Sequence, residues 1–456
     1  MIESINPATG ATLAEFDQHT PSQLNAILDR AAAAQAEWAL RPLAERSRML
    51  REAARVLRIR KAEYARLITL EMGKPVAEAT AEIEKCAWTC EFYAESAPRY
   101  LGDMTVESNA SDSKVVFDPL GVVLAVMPWN YPFWQFIRFA APALAAGNGA
   151  VLKHANNVPQ CALALERAFQ EAGFPSGLVN TVLIDSSRVA GLIDDPRIAA
   201  VTLTGSTEVG KKVAAQAGRA LKKQVLELGG SDPFIVLADA DIEQAALTAV
   251  RARYQNAGQS CISSKRFLVE QSVADRFVAH FERLAQAIVT GDPLAEGVTM
   301  GPMARSNLRA DLHSQVERTV AAGARLRLGG QMPTGPGAFY PPTLLDHVTP
   351  DMPAAREETF GPVAAVIRVK DADEAVRLAN ATEFGLGAAL WTADLDRARV
   401  LVRRIEAGAV FVNGMVASDA RLPFGGIKQS GYGRELGAFG AREFTNVKTV
   451  WIGPAV

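Results

Sequence analysis

Cysteine is scarce in this chain, and one of its four copies stands apart. Cys261 follows Tyr254-Gln255-Asn256-Ala257-Gly258-Gln259-Ser260, a run of small and polar residues flexed by a glycine. A thiol in such surroundings can ionise and attack a carbon electrophile, whereas one among apolar side chains usually cannot. On its own Cys261 reads either as a nucleophile or as inert filler. The choice depends on the other residues such a nucleophile would need. Glu227-Leu228-Gly229-Gly230 puts a carboxylate at the end of an apolar run. Glu227 is a general base or, alternatively, an ordinary salt-bridge partner. In Pro128-Trp129-Asn130-Tyr131-Pro132 the prolines fix a turn. The Asn130 amide there either donates to a developing oxyanion or closes an Asx turn that caps the next helix.

A second group of residues suits a nucleotide. Gly205-Ser206-Thr207-Glu208-Val209-Gly210 lies between a strand and a helix. Backbone N–H groups and the helix dipole favour an anion at such a junction. The stretch is neither GxGxxG nor a P-loop. Lys153, at the end of a strand, reads as a ribose ligand or as a solvated lysine. In Glu357-Glu358-Thr359-Phe360-Gly361-Pro362 either acid could accept from a ribose, or both could be solvated.

The elements that must carry these residues follow from periodicity. The first hundred residues read as helices. Thr20-Pro21 supplies an N-cap with proline at the first helical position, and Gly73 is a stop. Alanine-rich and charged faces predict a surface layer. From Met104 to Phe117 two short Val-containing runs flank Asn109, a hairpin without an obvious local core. Apolar strands near residues 121–127, 150–153, 179–184, 200–204 and 224–228 then alternate with helices. That alternation predicts a doubly wound parallel sheet, which binds dinucleotides at its strand C-termini. Further strands near 233–237, 266–270, 363–369, 386–391 and 409–412 predict a second α/β domain, and the stretch from Phe444 to Ile452 an edge strand. One thiol, one carboxylate and one amide beside a dinucleotide sheet are what oxidation of an aldehyde through a thioester requires.

Composition narrows the class. The chain has 456 residues, with 48 basic against 50 acidic side chains. Near-neutrality argues against nucleic acid or an anionic membrane as partner. No apolar run approaches the roughly 20 residues that span a bilayer. The first residues lack a basic n-region and an apolar h-region, and the few cysteines form no disulfide framework, so a reducing cytoplasm is expected. Cys86 and Cys90 read as half-buried helical thiols. Five histidines without an HExxH pair, and no paired CxxC, make a zinc site unexpected.

Over essentially its whole length the sequence resembles the NAD(P)-dependent aldehyde dehydrogenase superfamily. The resemblance rests on Ile5-Asn6-Pro7-Ala8-Thr9-Gly10, Pro128-Trp129-Asn130-Tyr131-Pro132, Thr204-Gly205-Ser206-Thr207, Leu226-Glu227-Leu228-Gly229-Gly230, Gly258-Gln259-Ser260-Cys261, Glu357-Glu358-Thr359-Phe360-Gly361-Pro362 and Pro423-Phe424-Gly425-Gly426-Ile427-Lys428-Gln429-Ser430-Gly431. It implies Cys261 as nucleophile, Glu227 as general base, and Asn130 with the Cys261 N–H as oxyanion hole. It implies Trp129, Lys153, Gly205, Ser206, Glu358 and Phe360 around the cofactor. It also implies a cofactor domain (1–103 and 119–229), a catalytic domain (230–428) and an oligomerisation element (104–118 and 429–456) in a homodimer or homotetramer. Asn156 stands where many NAD-preferring relatives carry glutamate, so use of both NAD and NADP is expected.

Within the family the chain looks most like the shorter bacterial succinate-semialdehyde dehydrogenases, through Lys153-His154-Ala155, Gly229-Gly230-Ser231-Asp232-Pro233 and Ala417-Ser418-Asp419-Ala420-Arg421. Aliphatic, aromatic or glutarate semialdehydes are the alternative substrates. A non-catalytic protein on this fold is the alternative from another class. A carboxylated substrate calls for a bidentate guanidinium, and Arg138 matches a substrate arginine of this subfamily. The second arginine of many relatives is replaced by Gln255. Arg421, helped by Ser418, is expected to supply the missing charge.

Overall fold

The computed structural model describes residues 1–453. A hairpin of β1 (Ile2–Ile5) and β2 (Thr12–Phe16) precedes four helices: α1 (Pro21–Ala39), α2 (Leu43–Ile59), α3 (Lys61–Met72) and α4 (Val76–Leu101). The predicted caps are present. The Thr20 hydroxyl accepts from the Gln23 N–H in a capping box, and Gly73 ends α3 in the left-handed region at φ 87°. The helices are not the surface layer expected from composition. Ala79, Ile83, Cys86, Ala87, Cys90, Tyr93 and Ala97 of α4 are all buried, because this helix lies against the core of the first sheet. Cys86 and Cys90 are accordingly fully rather than half buried, and burial pushes both thiols up.

Next come β3 (Met104–Thr105) and β4 (Asp112–Pro119). The first α/β unit then runs β5 (Val122–Met127), α5 (Trp134–Ala146), β6 (Gly149–His154), α6 (Pro159–Glu171), β7 (Val179–Thr181), α7 (Val189–Asp194), β8 (Ile198–Thr204), α8 (Thr207–Arg219) and β9 (Lys223–Glu227). All five expected strands form, and they are parallel in the order β9-β8-β5-β6-β7. Strand periodicity explains their apolar runs. Val123, Ala125 and Met127 face the core shared with α4 and α5, while Val122 and Leu124 face the core shared with α1, α7 and α8. The order reverses between β5 and β8, so the crevice of this sheet opens beyond Met127 and Thr204.

The second unit contains β10 (Asp232–Val236), α9 (Ile242–Tyr254), β11 (Ser264–Glu270), α10 (Gln271–Gln286), α11 (Ser306–Ala321), β12 (Arg325–Leu328), β13 (Thr343–Asp346), β14 (Val363–Val369), β15 (Phe384–Gly385), β16 (Gly387–Trp391) and β17 (Ala409–Val412). Its sheet has the order β12-β13-β14-β11-β10-β16-β17, parallel apart from β12. Both the N-terminal hairpin and β12–β13 escaped the sequence reading, being short runs without long alternation.

The C-terminal segment adds β18 (Ile427–Lys428), paired with β15, and β19 (Gly431–Tyr432), which joins β9. β20 (Thr445–Ile452) pairs along β4, which also pairs with β3. The sequence reading grouped residues 429–456 with 104–118, but residues 429–444 pair and pack elsewhere. β19 extends the first sheet, and Gly437–Glu443 forms a helix against α4 and α5. Positions 454–456 of that expected element lie outside the described residues.

Candidate active site

Cys261 lies in the loop between α9 and β11, where the second sheet meets the crevice of the first. The loop is held in an unusual conformation. Asn256, Ala257 and Gly258 are consecutive residues in the left-handed region, at φ 55°, 52° and 70°. A Cβ on Gly258 would collide with the Gly361 carbonyl and the Arg253 guanidinium, so glycine is required there. Two buried cations fasten the loop. Arg253 donates to the carbonyls of Gly258, Ser264, Thr359 and Gly361. Lys265 Nζ donates to the carbonyls of Ser260 (3.1 Å), Cys261 (2.9 Å) and Ser263 (3.3 Å). Neither was singled out from sequence, because a buried cation satisfied by carbonyls leaves no motif.

Asn130 follows β5 and is buried. Its Nδ2 donates to the Gln259 carbonyl at 3.0 Å, and its own carbonyl accepts from Asn256 Nδ2 at 2.9 Å. The asparagine is thus bonded to the Cys261 loop rather than serving only to cap α5. The cap comes from elsewhere. Glu82 of α4 accepts from the N–H groups of Phe133 and Trp134, both at 3.0 Å, while pairing with buried Lys74.

A cavity of about 170 Å³ opens beside Cys261. Arg138, Gln255, Ser418, Tyr131, Trp134 and Phe424 line it, together with Glu78, Glu82 and Lys85 of α4. Arg138 is therefore at the cavity, as expected. It is ion-paired with Glu435, donates to Thr204 Oγ1 at 3.2 Å and lies over the Phe424 ring. Ser418 is also at the cavity. Arg421 is not, and the expectation that it replaces the charge missing at Gln255 is corrected. The turn after Ser418 directs it outward, and its guanidinium binds both oxygens of Asp419 at 2.8 and 2.6 Å. Its side chain is 67% exposed. A carboxylate two residues away captured the cation. The cation the sequence reading missed is Lys85, whose Nζ donates to Ser418 Oγ at 2.8 Å.

Glu227 ends β9 and is buried outside the lining of this cavity. Neither carboxylate oxygen has a hydrogen-bond partner among the described residues. Burial, reinforced by neighbouring Glu435, holds this carboxyl well above the usual carboxylate range, against the opposing charges of Arg138 and Arg434. Burial also pushes the Cys261 thiol up to about 12, with Arg138 and Lys265 opposing and Glu358 and Asp232 reinforcing the shift. Polar sequence neighbours thus do not by themselves make this thiol acidic, because its own burial outweighs the nearby cations.

The nucleotide-type residues gather around the crevice of the first sheet. Trp129 and Phe360 meet edge to face, with centroids 5.8 Å apart. Lys153 Nζ donates to Asn156 Oδ1 at 2.7 Å and to the His154 carbonyl at 2.9 Å. Ser206 precedes α8 without spending its hydroxyl on a cap, and a Cβ on Gly205 would meet only Leu203 Cδ2, at 3.8 Å. Glu358 accepts from the Gly230 N–H at 3.0 Å, and a Cβ on Gly229 would stand 2.5 Å from Glu358 Oε2. A cation, an uncapped helix N-terminus and an oriented carboxylate fit the phosphates and riboses of a dinucleotide.

A doubly wound sheet facing a cysteine loop across a cavity defines a dehydrogenase of the thiol-dependent class. The chain belongs to the aldehyde dehydrogenase family, which it matches over residues 1–450. It is 53% identical over 451 residues to a Synechocystis sp. protein named "Probable succinate-semialdehyde dehydrogenase" (NADP+), covering 99% of each chain. It is 50% identical over 449 residues to the Escherichia coli K12 succinate semialdehyde dehydrogenase (NAD(P)+), covering 98% of this chain and 97% of that one. The crystal structure of succinic semialdehyde dehydrogenase from Streptococcus pyogenes with NADP+ superimposes with a TM-score of 0.97 at 36% identity, covering all of both chains.

Proposed function

We propose that this enzyme oxidises succinate semialdehyde to succinate with either NADP or NAD. The observation that carries the reading is the cavity. The Cys261 thiol shares about 170 Å³ with buried cationic side chains and the Ser418 hydroxyl. Such a space suits a short aldehyde that ends in a carboxylate. The names of the relatives support it.

In this reading the Cys261 thiol gives its proton to solvent water and the thiolate Sγ attacks the aldehyde carbon. The Asn130 amide and the Cys261 N–H receive the developing oxyanion. Trp129, Lys153, Asn156, Gly205, Ser206, Glu358 and Phe360 hold the nucleotide. When bound, NAD(P) supplies the hydride acceptor that takes the thiohemiacetal to the thioester. Glu227 then accepts a proton from the water that attacks the thioester, which releases the carboxylate and restores the thiol. Its raised pKa suits this task, because the base must gain a proton near neutral pH. Asn156 is neutral, so it orients Lys153 without cancelling its charge, and nothing at that position repels a 2′-phosphate.

Three further assignments complete the reading. Residues 1–103 and 119–229 form the cofactor domain and 230–428 the catalytic domain. The sheet β3-β4-β20 mediates homodimer or homotetramer formation. The enzyme works in the cytoplasm, consistent with the absence of any membrane-length apolar helix among the described residues. Initial rates with succinate semialdehyde and with butyraldehyde, each with NAD and NADP, test the function. The expected outcome is a kcat/KM at least about tenfold higher for succinate semialdehyde, the effect of one charge-assisted hydrogen bond. NAD and NADP should differ by less than a hundredfold. A preference for butyraldehyde overturns the substrate assignment.

A further inference from the structure

The cavity contains two cations, and they are not equivalent. Arg138 is already compensated by its ion pair with Glu435 and its hydrogen bond to Thr204. Lys85 approaches from the opposite element, α4, where Glu78, Ala81, Glu82 and Lys85 form one stripe at i, i+3, i+4 and i+7 along the cavity wall. Among the described residues no carboxylate lies within ion-pair distance of Lys85. Its ammonium sits 4.1 Å from the Trp134 ring centroid and donates to Ser418 Oγ at 2.8 Å. That bond occupies one lone pair of the hydroxyl and leaves the Ser418 O–H free to donate. An ammonium without an ion pair and an oriented hydroxyl thus face one space with the thiol. Gln255, on the same wall, carries no charge.

We infer that Lys85, with Ser418 beside it, binds the far carboxylate of the substrate and sets the preference for carboxylated over uncharged aldehydes. The inference rests on the substrate reading above and assigns its specificity to a helix-borne lysine. Arg138 in turn holds Glu435 and, together with Arg434, tempers the buried Glu227.

The assignment has a pH signature. Burial, with Arg138 nearby, lowers the Lys85 ammonium to about 8. The groups around it are Arg138 on α5, Asp419 in the loop after Ser418, Glu82 and Cys86 on its own helix, and Glu78 and Cys261 on the shared wall. The cation is present below about pH 8 and is lost as pH rises through that value, so KM for the carboxylated substrate should climb there. Arginine stays charged throughout that range. Glu78, raised to about 7 mainly by burial, adds repulsion as it ionises, but it does so with either residue at position 85.

The experiment compares wild type, K85M and K85R on succinate semialdehyde and butyraldehyde across pH 6.5–9.5. The ratio of the two kcat/KM values should fall about ten- to a hundredfold in K85M, as expected for one charge-assisted hydrogen bond. K85R should recover most of the ratio and lose the KM rise above about pH 8. A ratio unchanged in K85M overturns the role of Lys85 while leaving the substrate assignment intact. A wild-type preference for butyraldehyde overturns the substrate assignment instead. If K85M does not fold, the pH comparison decides: a KM rise that persists unaltered in K85R overturns the inference.

Discussion

At the scale of single residues, the site is governed by desolvation. Cys261, Glu227 and Lys85 are all displaced toward their neutral forms, because each is removed from water more completely than its opposite charges compensate. For the thiol this has a direct consequence. With a pKa near 12, its thiolate fraction should rise about tenfold per pH unit across pH 7–10. Iodoacetamide alkylation of Cys261 in the enzyme without nucleotide or aldehyde, followed by peptide mass analysis, should show that slope without a plateau. A plateau near pH 8 would mean that the resting site already stabilises the thiolate.

At the scale of elements, a few buried side chains fasten the pieces of the site. Glu82 caps α5 from α4, and Arg253 joins the Cys261 loop to the strand entry at Gly361. Lys265 gathers three carbonyls of the Cys261 turn around one ammonium. Those carbonyls lie in a buried turn with two left-handed non-glycine residues just before it, so the conformation depends on such support. Replacing Lys265 by methionine should keep the volume but strand the carbonyls, destabilising the protein by about 2–4 kcal/mol. The far-ultraviolet circular dichroism should stay native while kcat drops about tenfold or more, since a nucleophile displaced by even about 1 Å reacts poorly. A kcat within twofold of wild type would show that the backbone alone holds the turn.

At the scale of the whole molecule, the sheet β3-β4-β20 packs on the first core through Phe117 but leaves apolar side chains uncovered. Met104, Val106, Val447, Trp451 and Ile452 are exposed on or beside it. An apolar set of this kind on an edge is a liability unless something covers it. A second copy of the chain is the covering that the family resemblance implies. Replacing both Val447 and Trp451 by aspartate should shift sedimentation from the oligomer to the monomer, because two carboxylates cannot be buried without partners. Unchanged sedimentation would assign the contact to another face.

Much of this protein was legible along the chain, for physical reasons that differ by element. Strands buried on both faces read as unbroken apolar runs, so all five strands from β5 to β9 were expected in place, although β7 stops at Thr181, three residues short of its apolar run. Caps such as Thr20 and Gly73 act within a few residues and were equally plain. Cys261, Glu227 and Asn130 stood out as candidates at turns and strand ends, each with a structural alternative, and the family resemblance implied the catalytic roles. Short pairings such as β1–β2 and β12–β13 carry too little alternation to be read. Above all, sequence alone could not decide which cation serves the cavity. Arg421 was a reasonable candidate until Asp419, two residues away, took its guanidinium outward. Lys85 and Ser418 are 333 residues apart. Only the packing of α4 against the loop that carries Ser418 brings them together, and only the burial of Arg138 with Glu435 leaves the lysine as the cavity cation without an ion pair among the described residues.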